Sequence, residues 1–366
     1  MLSMLAFCAQ YLSFNDEFIE YFDDDIAFRQ DTDFMSDKLG GMYEVQFSHH
    51  SQQEQGIFET DYLFHQNAFK DWLLEQPEVR FVYSYSELQS VVQSVLHESP
   101  IQLPETKEQA AENYLMLQLA LPDDSSLDHI LSASQDASAL KVFTANLSST
   151  QMQAFLQRCQ DWQKSFMPEK FHSMPTGPAV MFAYISKRNI DSMMVGNYFA
   201  LGMISFILAI LLKSLPLFFL SLAANLSPLV MMFGIWALMS GEVGMVGTTI
   251  AAATLGIVVD DTVHFLCKYL HARRQLQYTI AQAVEMTLST VGVAISATSL
   301  VLVIGLSVLL FSDFLLNYQA GVLTIITIIC AWLFDLLVLP AVLLVTGRFV
   351  DSQYSGKASN QDCLVE

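Results

Sequence analysis

Five apolar stretches limit what this chain can fold into. They are Met193–Leu212, Pro216–Leu238, Met245–Leu266, Val291–Phe311 and Ala320–Val345. Each reaches the ~20 residues that a helix needs to cross a bilayer. The third contains Thr248–Leu266, which is apolar apart from the adjacent carboxylates Asp260 and Asp261 and the imidazole of His264. On insertion scales a central Asp costs ~2.5–3.5 kcal/mol, so the pair represents roughly 5–7 kcal/mol of unfavourable placement. Packing alone rarely retains such a pair, which makes it the first candidate for function.

Charge divides the chain in two. Residues 1–190 carry 27 Asp and Glu against 11 Lys and Arg, whereas residues 191–366 carry 10 against 6. The first part therefore reads as an acidic soluble domain and the second as a membrane domain. Nucleic acid is not an expected partner, because phosphate binding needs a basic surface. No G-x-x-x-x-G-K-[ST] stretch occurs, so ATP is not expected either. The cysteines, five in all, are scattered without metal-ligand spacing and read as unpaired thiols. No cofactor or metal is implied, and no Ser/His/Asp or H-E-x-x-H arrangement suggests an enzyme.

Within the acidic part, Met42–His50 alternates as a strand and Ile57–Leu74 has helical spacing. Val79–Tyr85 reads as a second strand, and Pro100 and Pro104 mark a loop. The pattern recurs as strand Ala139–Leu147, helix Ser149–Phe166 with Ser149 at the N-cap, and strand Pro178–Ile185. Two β-α-β units suggest split βαβ subdomains, each a small sheet with helices on one face, with a generic α+β domain as the alternative.

Between the third and fourth spans, Leu276, Ile280, Val284 and Leu288 fall four apart, as in a helix lying along the membrane surface over residues 269–288. If the spans alternate, Lys213, Lys268, Arg273, Arg274, Arg348 and Lys357 share one side. Glu242, Asp313 and the acidic domain share the other. The positive-inside rule then makes the domain extracytoplasmic and the C-terminus cytoplasmic. An exported domain needs a preceding helix or signal, so Met1–Phe14 reads as the remnant of a first transmembrane helix. Residues 349–366 read as a disordered cytoplasmic tail.

This order resembles one half of a resistance–nodulation–division (RND) superfamily exporter, in particular the MMPL-type and "predicted exporter" branch related to Patched-like and sterol-sensing proteins. The resemblance rests on Gly256-Ile257-Val258-Val259-Asp260-Asp261, matching the family's G-x-x-x-D-D. It is supported by Tyr21-Phe22-Asp23 with Phe28-Arg29-Gln30-Asp31-Thr32, by Phe311-Ser312-Asp313-Phe314, and by Leu339-Pro340-Ala341-Val342-Leu343-Leu344. The first of these supporting blocks is typical of the second half of the two-half exporters. The resemblance implies an RND half-transporter: an α-helical membrane bundle plus an extracytoplasmic α+β domain (residues 15–190) with two βαβ porter-like subdomains, and five spans over residues 191–348. It further implies a bacterial inner (plasma) membrane setting, hydrophobic or lipid substrates, and a missing N-terminal half or another copy as partner.

Asp260 and Asp261 are both within one helical turn of His264. The resemblance implies that the carboxylate pair takes up protons, or Na⁺ in some relatives, from outside. An alternative makes the pair a cytoplasmic-side cap held by Lys268 or Arg273, since Asp260 is only roughly 12 Å along a helix from Lys268. Asp335 in the last span is a third ion-coupling candidate, with Thr298 or Ser299 as its expected partner, and His264 is either a proton relay or an interfacial residue. Gly256 and neighbouring small residues favour close helix packing at the motif. A non-transporting scaffold or lipid sensor is the alternative function. An intramembrane aspartyl protease is disfavoured by the adjacency of the two carboxylates and the absence of G-x-G-D.

Overall fold

The computed structural model describes residues 7, 12–14, 16–17, 19–38, 41, 43–98, 100–121, 127–212, 214–240 and 242–352. Most of the expected helix remnant at 1–14, and the tail from residue 353 onward, lie outside the described residues. Contacts divide the chain into two compact units, one of residues 16–20 and 24–187 and the other of residues 1–15, 21–23 and 188–366.

The first unit is built on one sheet. Its strands are β2 (Tyr43–His50), β3 (Val79–Tyr83), β4 (Ala137–Thr144) and the two-residue β5 (Pro175–Thr176), in the order β3-β4-β2-β5. Every neighbouring pair is antiparallel, and β2 and β4 align over eight residues from Tyr43↔Thr144 to His50↔Ala137. The first expected β-α-β unit is therefore present; the second keeps its first strand and helix but closes on Pro175–Thr176, and the two interlock in one sheet as a split β-α-β motif instead of forming two small sheets. The first is β2, α2 (Thr60–Leu74) and β3; the second is β4, α5 (Ser149–Phe166) and β5. An earlier helix, α1 (Ala27–Lys38), precedes the sheet.

Three sequence expectations are corrected here. Pro178–Ile185 is not a strand; it begins α6 (Pro178–Leu212), with proline in the first turn where a missing N–H costs nothing. Ser148, not Ser149, is the N-cap of α5, exchanging bonds with Gln151 in a capping box. The stretch between β3 and β4 holds two helices, α3 (Tyr85–His97), capped by Ser84, and α4 (Lys107–Ala120), opened by a Thr106/Gln109 capping box. The core joins the sheet to its helices. Phe47 meets Phe69 edge-on at 5.1 Å, and Trp72 stacks on Trp162 at 5.6 Å. A buried polar set ties the elements together, with the Tyr62 hydroxyl donating to the His49 carbonyl and Gln66 donating to Ser138.

Among the described residues five helices are long and apolar enough to cross a membrane, at Pro178–Leu212, Leu215–Met239, Met245–Arg274, Ile280–Phe311 and Leu315–Val345; the last four and most of the first belong to the second unit. We label the later elements α7 (Leu215–Met239), β6 (Glu242–Val243), α8 (Met245–Arg274), α9 (Ile280–Thr287), α10 (Val293–Leu306), α11 (Leu315–Leu333) and α12 (Leu339–Ser352). Ser13–Phe14 form β1, parallel to β6. Two of the motif segments meet within this unit. Phe22 bridges Phe314, the Asp23 N–H donates to the Asp313 carbonyl, and the Phe22 and Phe314 rings lie 5.7 Å apart.

The surface helix expected over 269–288 is absent. Tyr269–Arg274 are the last turns of α8, and a short link leads to Thr279, whose capping box with Gln282 starts the next helix. Of the four apolar positions that suggested a membrane-surface face, Val284 is buried in a core with Tyr269, Leu270, Leu339 and Leu343 and Leu288 packs partly against it, whereas Leu276 is exposed. Arg273 closes the link by donating to the Tyr278 carbonyl.

Candidate functional site

Because α8 runs on past Lys268 and ends at Arg274, Asp260 is the sixteenth of its 30 residues. It lies about 22 Å from Met245 and about 21 Å from Arg274 along the axis. Neither carboxylate caps an end, and Asp260 Oδ1 lies 3.3 Å from His264 Nε2, one turn on.

The two carboxylates face differently. The Asp260 and His264 side chains are 71% and 59% exposed. They continue a stripe of exposed small residues, Thr249, Ala253 and Gly256. A Cβ built on Gly256 meets nothing within 4 Å, whereas one on Gly247 meets the Val243 side chain at 2.2 Å. Asp261 is half-buried and Thr262 fully buried. The Thr262 hydroxyl donates to Asp335 Oδ1 at 3.1 Å, and Asp335 is 1% exposed. Its other oxygen has no hydrogen-bond partner among the described residues.

This pairing corrects the expected one with Thr298 or Ser299. Thr298 bonds back to the Ala294 and Ile295 carbonyls of its own helix. Thr262 was missed, although the sequence carries a signal: it is a hydroxyl next to the carboxylate pair, on a face whose neighbours Leu255, Val258, Phe265, Leu266 and Tyr269 are apolar.

Asp335 owes its placement to a break in helical pitch. Phe334–Val338 form a π-type turn joining α11 to α12. Pro340 explains it: within a helix proline donates no bond and its ring collides with the carbonyl four residues back, here Leu336. Widening the turn relieves that collision, and such π-turns recur at functional positions. A second π-turn, Leu288–Gly292, abuts the first, since a Cβ on Gly292 would lie 3.3 Å from Leu336 Cδ2. Nearby, Trp332 Nε1 donates to Ser296 at 3.0 Å. Among the described residues no group of three or more His, Cys, Asp or Glu could hold a metal ion.

The site thus consists of an exposed Asp260–His264 pair and a buried Thr262–Asp335 pair, with Asp261 between them in sequence. The sequence profile of the MMPL family matches residues 83–361, about three-quarters of the chain. The chain belongs to the MMPL family. It is accordingly a multi-pass membrane protein of the RND superfamily, as the G-x-x-x-D-D resemblance implied. The MMPL match takes in all five membrane helices from α6 onward and Asp260, Asp261, His264 and Asp335 together. No curated protein matches the chain.

Proposed function

We propose that this MMPL chain is a half or subunit of an ion-gradient-driven exporter of hydrophobic or lipid molecules, with protons as the coupling ion. Asp260, Asp261, His264 and Asp335 form the coupling set. The observation that carries the reading is the position of the Asp260–His264 pair, midway along an apolar helix and on a face that the described residues leave uncovered. Ionisable groups at such depth face a bundle interior or a hydrated cavity rather than lipid. The Asp260 face is therefore covered by a second half or a second copy, with Gly256 and Ala253 allowing close approach. Asp335, buried beside Thr262, exchanges protons on the inner side of the same helix.

The basic residues Lys268, Arg273 and Arg274 end α8 on the cytoplasmic side by the positive-inside rule. The acidic unit then faces outward from the inner membrane, and the C-terminus is cytoplasmic.

The test is a proton-flux measurement. The complete transporter is reconstituted in vesicles with an entrapped pH dye, and an imposed pH gradient is allowed to relax. Asp260→Asn and Asp335→Asn should each remove the protein-dependent flux while leaving insertion and thermal unfolding intact. Undiminished flux in both variants overturns the proposal. Absence of flux in the wild-type assembly favours the lipid-sensor alternative.

A further inference from the structure

A third helix meets the buried Thr262–Asp335 pair. α7 packs against α8, α11 and the π-turn that carries Asp335. Two apolar cores set the levels of these helices: Leu217, Phe265 and Leu339 share one, and Met232, Ala251 and Leu323 share the other. Counted from the first core toward the second, Ser221 lies four residues along, Thr262 three and Asp335 four. At 1.5 Å per residue all three stand about 4–6 Å beyond the first core. Asn225 is one turn further along α7. Helical side chains lean toward the N-terminus of their own helix, and α7 runs opposite to α11 and α12, so Asn225 and Asp335 lean toward each other. Asn225 Nδ2 donates to Ser221 Oγ at 3.5 Å, in keeping with that lean.

These groups are shut away from solvent, with Asn225 1% exposed and Ser221 fully buried. Asn225 Oδ1, like Asp335 Oδ2, has no hydrogen-bond partner among the described residues. Each orphaned buried acceptor costs ~1–3 kcal/mol. Two of them, aimed at one another, call for a donor common to both. α7, α11 and the Leu288–Gly292 turn bring no Asp, Glu, His, Lys or Arg to this place. On α8, Asp261 acts on Asp335 through its charge, while His264 is exposed beside Asp260. Pro228 brings no N–H to the Ala224 carbonyl, so α7 is also short of a donor next to Asn225.

We propose that one buried water bridges Asp335 and Asn225, and that Asn225, tethered by Ser221, is the positioning residue for the proton that Asp335 holds. A water carries two O–H groups, one for each orphaned oxygen. When Asp335 takes up a proton, Oδ2–H donates to the water oxygen. The water keeps its bond to Asn225 Oδ1 and turns its second O–H to Ser221 Oγ. The carboxyl gains the proton, and no other group changes charge. As to the proton, the inference rests on the exporter reading; the water site stands on the buried acceptors alone.

The full chain in lipid nanodiscs is cycled between acidic and alkaline buffer while infrared difference spectra are recorded. The Asp335 carboxyl band is the one that Asp335→Asn removes, and the water O–H band is the one that heavy-oxygen water moves. Both should appear in the wild type. Asn225→Leu should abolish the water band and raise the frequency of the Asp335 carboxyl band, as loss of a hydrogen bond does. Ser221→Ala, a milder change, should move both bands in the same directions. Proton flux through the complete transporter should fall roughly tenfold in Asn225→Leu, the worth of one hydrogen bond to a charged group. Asp260→Asn should leave both bands in place. A wild type without the water band, or an Asp335 band unmoved by both α7 variants, overturns the proposal and leaves the exporter reading intact. A wild type with both bands but no flux sinks the exporter reading and leaves the water site standing.

Discussion

Replacing His49 by leucine should make the soluble unit both more stable and less sensitive to acid. His49 lies in the middle of the sheet on β2, 1% exposed, with neither ring nitrogen hydrogen-bonded among the described residues. Burial, reinforced by the neighbouring charges of His50 and His172, lowers its pKa from 6.5 to about 3. Between those values the unfolded chain binds a proton that the folded chain does not. Stability is therefore fully present above pH 6.5 and falls as pH drops toward 3, by up to about 1.4 kcal/mol per unit. At pH 5 the loss relative to pH 8 is about 2 kcal/mol.

Leucine is of similar volume, cannot titrate, and removes a polar ring whose unsatisfied burial costs ~1–3 kcal/mol. It forfeits the aromatic contacts with Phe47 and Phe69, worth ~0.5–1.5 kcal/mol. The net gain is about 1 kcal/mol at pH 8 and about 3 kcal/mol at pH 5. Trp72 and Trp162 pack against Phe69 and report on this core. Urea unfolding followed by their fluorescence, in a Trp236→Phe/Trp332→Phe background, gives the comparison. A stability difference between the His49→Leu protein and its parent that is the same at pH 5 and pH 8 refutes the reasoning.

Four further outcomes are expected. Thr262→Val keeps the shape but takes from Asp335 its hydrogen-bond donor, and should cost roughly 1 kcal/mol in detergent unfolding of the membrane unit, with no further loss when combined with Asp335→Asn. Gly256→Leu should leave the chain's own unfolding unchanged, because no described residue stands within 4 Å of the new Cβ, while reducing co-purification with the second half or copy proposed above. Ser148→Ala should destabilise the soluble unit by ~1 kcal/mol through loss of the α5 cap, read in the same urea titration. Gly177→Ala should cost ~1–3 kcal/mol and loosen β5, since its φ of +127° disfavours a side chain and its Cβ would lie 2.7 Å from the Glu44 carbonyl, an effect visible as faster amide exchange at Gln46 and Phe47.

The membrane spans were legible because long apolar runs admit one form in a bilayer, and the family because G-x-x-x-D-D sits inside one of them. Short segments were harder. Pro178–Ile185 is apolar on every side, and such a run fits a buried strand or the start of a helix equally well; only Gly177-Pro178 hinted at the helix. The stretch around Leu276–Leu288 showed a genuine amphipathic period, but periodicity does not say whether the apolar face meets lipid or another helix. Here Val284 and Leu288 meet a core with Tyr269, Leu339 and Leu343, while Leu276 is exposed. The Thr262–Asp335 pair joins residues 73 apart, and its geometry depends on a π-turn forced by Pro340. Strand order was illegible for a similar reason: two β-α-β runs in series are compatible with two sheets or one, and the choice rests on which strand edges meet.

Consecutive residues on an α-helix point about 100° apart. Asp260 and Asp261 therefore give α8 one exposed carboxylate and one half-buried one. A turn of this one helix by a single residue's angle would bring Asp261 to the exposed face that Asp260 now occupies. A single aspartate at position 260 would leave that face without a carboxylate after the same turn.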